Sequence, residues 1–107
     1  MKIEVFYVPE CPHHPAALLR LKEILAADGV AAEIQEVAVT NAAMAEALRF
    51  CGSPTIRING RDIAGESEDA GNFAVSCRLY LGAKQPGVPP GEMIRRAVRG
   101  ARAAENP

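Results

Sequence analysis

An α/β domain, with a mixed four-stranded sheet and helices on its faces in the order βαβαββα, is the fold class that this chain predicts. Three observations lead there. Short β-favouring runs alternate with helical apolar stripes from residue 2 to residue 52, Asn59-Gly60 joins two further β-favouring runs, and an amphipathic stretch follows Pro89-Pro90-Gly91. A right-handed crossover makes the first two strands parallel, and the hairpin adds two antiparallel ones.

Lys2 to Val8 alternates, with Ile3, Val5 and Tyr7 on one face and Phe6 and Val8 on the other, which predicts a central strand closed by Pro9. From Pro12 or Pro15 to about Asp28, Leu18, Leu21 and Leu25 recur at helical spacing, and Gly29 supplies a stop. Ala31 to Val39 reads as a second strand, with imperfect alternation around Ile34 and Val37. Thr40 or Asn41 can cap a second helix whose stripe is Met44, Ala47, Leu48 and Cys51, ended by Gly52. Thr55 to Ile58 and Arg61 to Ile63 flank Asn59-Gly60, the strongest short hairpin signal in the chain. The Gly- and Pro-rich stretch from about 64 to 91 reads as a long loop, a length that usually marks either function or mobility. Ile94, Ala97, Val98 and Ala101 then form the apolar face of a last helix, and Ala103 to Pro107 are expected to fray.

Composition narrows the function. The chain has 107 residues, 49% of them hydrophobic, and a net charge of −1, which fits a single domain spanning 1–107 with its own core. A core of that size needs no metal or disulfide framework, so any metal would serve function. The longest uncharged run, Val37 to Met44, is far too short to span a membrane, and near-neutral charge gives no general attraction to nucleic acid. The start, Met1-Lys2-Ile3-Glu4-Val5, lacks the features of a secretory signal, so a cytoplasmic location is expected, with no membrane or nucleic-acid partner. Three cysteines are too few for a stapled secreted domain, which leaves reactive thiol, metal ligand or packing residue.

The densest chemistry lies at Cys11-Pro12-His13-His14, where the first strand delivers the chain into the first helix. Unpaired amides and the positive end of a helix dipole favour thiolate over thiol, and a neighbouring imidazolium adds to that. If the helix begins at Pro15 instead, Cys11 lies in the preceding turn and loses part of this activation. His13 and His14 have a plain alternative as exposed polar residues of a turn. Of the two, His14 has the three-residue offset that puts it on the same side as Cys11.

Here the chain resembles the thioredoxin and glutaredoxin-like family, in its element order, in a cysteine just after the first strand, and in Ser53-Pro54-Thr55 leading into the third strand. The resemblance covers about residues 1 to 63 and the C-terminal helix, and leaves the long loop unexplained. It implies that Cys11 is the attacking thiol, that Pro54 is cis and packs beside it, and that Ser53 offers its backbone to an extended thiol partner, with Thr55 completing the substrate-binding loop. The departure is chemical: His14 stands where the family's second cysteine belongs, so a local dithiol cycle is impossible. What survives is monothiol exchange, in which Cys11 forms a mixed disulfide with glutathione or a protein and a distant cysteine resolves it. No resident cofactor is expected, with glutathione as the co-substrate such chemistry would draw on. The partner is then a thiol-containing small molecule or protein.

Cys51 reads either as a small apolar member of the second helix or, from its place before Ser53-Pro54, as a thiol near Cys11. Cys77 lies on no recognisable core face and is the resolving thiol if the loop folds over Cys11. A rival reading makes Cys11, His14 and Cys77 ligands of a soft ion such as mercury, copper or zinc, although their spacing matches no zinc signature. The segment Cys77-Arg78-Leu79-Tyr80 is similar to chains described as alkylmercury-lyase-like, which implies an organomercurial-related module needing two thiolates and a proton donor in one pocket. A third reading is an interaction scaffold in which Cys11 is residual. Arg95, Arg96, Arg99 and Arg102 suit the C-terminal end of a helix without implying nucleic acid, and Glu66, Glu68 and Asp69 lack the spacing of a calcium loop.

Overall fold

The computed structural model describes residues 1–65, 78, 80 and 87–105. Its elements follow the expected order: β1 (Lys2–Tyr7), α1 (His14–Ala27), β2 (Glu33–Ala38), α2 (Ala42–Leu48), β3 (Thr55–Ile58), β4 (Arg61–Asp62) and α3 (Gly91–Glu105). They form a thioredoxin-like α/β fold around one mixed sheet of order β2-β1-β3-β4. β1 runs parallel to β2 and antiparallel to β3, with Ile3 facing Ile34 on one side and Ile58 on the other.

Strand alternation sorts the side chains into two cores. Ile3, Val5, Ile56 and Ile58 pack against Leu21, Ile24 and Leu25 of α1 and Ile94 and Val98 of α3. Phe6 and Val39 pack on the opposite face with Ala45 of α2 and Phe50. Truncating a buried member such as Ile56 to alanine costs about 2–5 kcal/mol, because transfer energy is lost and a cavity remains. β2 is an edge strand, which explains its broken alternation: only one long side is paired, half of its residues are exposed and none is fully buried.

Local signals close the elements. Gly29, at φ 63°, ends α1 while the Val30 amide reaches back to the Leu25 carbonyl over 2.9 Å. Asn59 and Gly60 both take positive φ, as a two-residue hairpin turn requires, and Asn59 Oδ1 also accepts from the Lys2 amide at 3.0 Å.

Several boundaries differ from the expectation, β2 covering Glu33–Ala38 and β4 Arg61–Asp62, both shorter than read. β1 stops at Tyr7, one residue early. α2 ends at Leu48, because Arg49 turns left-handed at φ 54° and Arg57 donates to the carbonyls of Leu48 and Arg49 at 2.6 and 2.9 Å. Cys51 is therefore off the helix and Ala47 is exposed, while Ala45 and Phe50 supply the burial assigned to that stripe. α3 stays helical to Glu105, whose carboxylate pairs with the Met1 amino group at 3.1 Å, so the fraying expected from Ala103 does not occur over the described residues. Most of the expected loop at 64–91, including Cys77 and the acidic cluster Glu66, Glu68 and Asp69, lies outside the described residues. No helix is long and apolar enough to cross a membrane among the described residues.

Candidate functional site

The site is built around the backbone of Val8, just after β1. Its carbonyl accepts from the Cys11 amide at 3.0 Å, closing a four-residue turn with Pro9 at the second position and Glu10 at the third. Glu10 adopts φ 72°, the left-handed conformation that this turn normally gives to glycine. The amide of the same Val8 donates to the Ser53 hydroxyl at 3.0 Å. One residue thus holds the Cys11 turn through its carbonyl and the Ser53-Pro54 loop through its amide.

α1 begins at His14, with His13 as its N-cap and Pro15 just inside. Cys11 consequently lies in the preceding turn and not in the first helical turn, which was the weaker of the two placements for its activation. The His14 amide approaches the Cys11 carbonyl at 3.4 Å, and the thiol-bearing residue is partly exposed. Gly87 packs so closely on His13 that a Cβ there would lie 2.2 Å from the imidazole.

His14 is more constrained than a surface turn residue. Its ring stacks on Tyr7 with centroids 3.9 Å apart and planes 7° from parallel, and Nε2 meets Glu36 Oε1 at 2.8 Å. Glu36 is on β2 and was not foreseen, because a bond across 22 residues leaves no periodic trace in the sequence.

The opposite wall is the segment Gly52 to Thr55, where the Ser53-Pro54 peptide is cis, as the family resemblance implied. Ser53 and Thr55 are fully buried, and the Thr55 hydroxyl donates to the Gly52 carbonyl at 2.5 Å. The Arg78 amide donates to the Ser53 carbonyl at 3.0 Å, and the Tyr80 hydroxyl donates to the Pro54 carbonyl. The Ser53 carbonyl is thus bonded within the chain. Arg78 is fixed in turn by Asp62 at 2.7 Å and Thr55 Oγ1 at 3.3 Å, deep in the fold. Burial pulls the guanidinium down, but the hydrogen bond to Asp62 and the charges of Tyr80, Asp62 and Cys51 together outweigh it and leave it raised. The segment holding Arg78 and Tyr80 was singled out in the sequence; Asp62, the partner of Arg78, was not.

The other expected participants are less concentrated. Cys51 Sγ donates weakly to the Arg49 carbonyl at 3.6 Å, in the link between α2 and β3, and Cys77 lies outside the described residues. Among the described residues no three His, Cys, Asp or Glu side chains are grouped to hold a metal ion. A separate groove of about 870 Å³ opens between the β3–β4 hairpin and α3, and none of Cys11, His14 or Ser53 lines it.

The fold and the cysteine-bearing turn beside a cis-proline loop define a thioredoxin-like α/β protein with one thiol at the end of its first strand. The chain belongs to a family described as a domain of unknown function, DUF2703, whose model matches residues 14–98. That range includes His14, Glu36, Ser53 and Arg78, while Cys11 precedes it. No curated protein matches the chain.

Proposed function

We propose that the protein carries out monothiol thiol–disulfide exchange through Cys11, in the manner of the thioredoxin and glutaredoxin-like family. The observation that carries this reading is the double use of Val8, whose amide and carbonyl tie the Ser53-Pro54 loop and the Cys11 turn to one residue. Partial exposure lets a substrate sulfur reach the thiol, and a buried packing cysteine would not allow this.

In the reaction, the Cys11 thiolate attacks a disulfide RS–SR, forms Cys11–S–S–R and releases RS⁻. A second thiol then attacks the mixed disulfide, returns Cys11 to its reduced form and leaves as the new disulfide. Glutathione or Cys77 fills that second role, and Cys77 directly precedes Arg78, the residue whose amide bonds to Ser53. His14 is the side chain proposed to stabilise the Cys11 anion, and Ser53, Pro54 and Thr55 shape the approach to it. Incubating the protein with bis(2-hydroxyethyl) disulfide and mapping the adduct by mass tests this: an adduct on Cys11, removed by glutathione and lost in Cys11→Ser, is expected. An unmodified Cys11 beside a modified Cys51 would contradict it.

A further inference from the structure

Away from Cys11, the groove of about 870 Å³ runs along the open edge of the sheet, between the β3–β4 hairpin and α3. That volume falls in the range of small-molecule sites, roughly 300–1,000 Å³. Ile63 on the hairpin side and Met93, Ala97 and Ala101 on the helix side give it an apolar surface, backed by the buried Ile58. Its helical wall reaches from Glu92 to Ala104, a length of about 18 Å at the rise of an α-helix.

Gly100 lies in that wall. A glycine inside a helix weakens it, so it calls for a reason. Here no positive φ requires it, and a Cβ at Gly100 would meet nothing within 4 Å. The packing of the chain therefore does not need the missing side chain, and what the glycine keeps open is the groove.

The charges around the groove favour an anion. Arg61 stands on the hairpin wall and Arg96 on the helix wall, both exposed, and neither makes an ion pair or a side-chain hydrogen bond among the described residues. Arg57, Arg78, Arg95 and Arg102, by contrast, are each engaged by groups of the chain. Glu92 is the one lining carboxylate left to oppose the two cations, because Asp62 is held by Arg78. The backbone adds a donor: the Ile63 amide bonds to Ile56, so the Asp62 amide, one residue earlier, points off the open edge of the sheet.

We propose that this groove binds a small amphiphilic carboxylate, its hydrocarbon chain lying along Met93, Ala97 and Ala101 beside Gly100 and its head group met by Arg61 and Arg96. Apolar contact supplies most of the binding, and the two guanidiniums, which stay partly hydrated, select the sign of the head group. A cationic chain of the same length fits the apolar surface but brings a like charge to both arginines. The site shares no residue with the Cys11 turn and stands whether or not Cys11 is the exchange thiol.

The test titrates the full ¹⁵N-labelled chain with decanoate, below its micelle-forming concentration, and with decyltrimethylammonium as the cationic counterpart. Decanoate should give saturable shifts at the amides of Ile63, Met93, Ala97 and Gly100, and decyltrimethylammonium should not. Replacing both cations, Arg61→Gln with Arg96→Gln, should weaken decanoate about five- to tenfold, the loss of two partly screened ion pairs. Gly100→Leu should fill the groove and abolish the shifts while melting no lower than the parent, because leucine is the better helix former. No saturable shift, equal affinity for the two amphiphiles, or unchanged binding in Gly100→Leu overturns the proposal. So does a parent that sediments as a dimer and is made monomeric by Gly100→Leu, which would give the groove to a second copy of the chain.

Discussion

Val8 donates its amide to the Ser53 hydroxyl over 3.0 Å, across 45 residues of sequence. This bond ties the loop before β3 to the end of β1, and the carbonyl of the same residue orients the Cys11 turn. Ser53→Ala leaves the partly buried Val8 amide without its acceptor, at a cost of about 1–2 kcal/mol in urea unfolding. It should also slow labelling of Cys11, since the turn loses one of its supports. A variant of unchanged stability and unchanged labelling would show that the bond does not organise the site.

The Arg78–Asp62 pair should dominate the energetics of the opposite wall. Both side chains are almost fully buried, so removing one partner strands the other in a poor solvent. Asp62→Ala is expected to destabilise by about 3–5 kcal/mol, read from chemical denaturation. The pH dependence follows from the raised guanidinium. A cation whose folded-state value is raised keeps its contribution below the unfolded value and loses it only as pH climbs through the folded one. The Arg78 contribution therefore stays constant from neutral to moderately alkaline solution, and the cost of Asp62→Ala should be the same at about pH 7 and about pH 9. A cost that shrinks over that interval would contradict the assignment.

Glu10 offers a prediction of opposite sign. Its φ of 72° is one that glycine adopts freely and a residue with a Cβ does not. Glu10→Gly should stabilise the fold by about 0.5–1 kcal/mol, the relief of local strain being partly offset by the greater freedom of glycine in the unfolded chain. A lower melting temperature in that variant would mean that the Glu10 side chain contributes more than its backbone costs.

Gly52 takes φ 112°, and a Cβ there would lie 2.9 Å from the Arg78 amide nitrogen and Cβ. Gly52→Ala combines an unfavourable backbone with a collision and should cost about 2 kcal/mol or more in thermal or chemical unfolding. A near-neutral result would mean that Arg78 shifts easily and that its contact with Gly52 does not hold the loop.

Much of the fold was legible because it is written locally. The alternation of Ile3, Val5 and Phe6, the Leu21 and Leu25 stripe, the Asn59-Gly60 turn and the Ile94 and Val98 face each declare an element within a few residues, and all recur in the structure. The end of α2 did not, since Arg49 turns left-handed where Arg57 of β3 binds the last carbonyls, a tertiary cause that no window around Cys51 contains. The site divides in the same way. Cys11 and Ser53-Pro54 were readable from position and family resemblance. Glu36 and Asp62 act through bonds spanning 22 and 16 residues, made by single polar side chains without periodicity.

The central claim is that Cys11 is the reactive thiol of this chain. Brief exposure to substoichiometric iodoacetamide at neutral pH, followed by mass mapping of all three cysteines, tests it most directly. Label should appear first on Cys11, at a rate above that of free glutathione. Label accumulating on Cys51 or Cys77 while Cys11 reacts no faster than glutathione would contradict it.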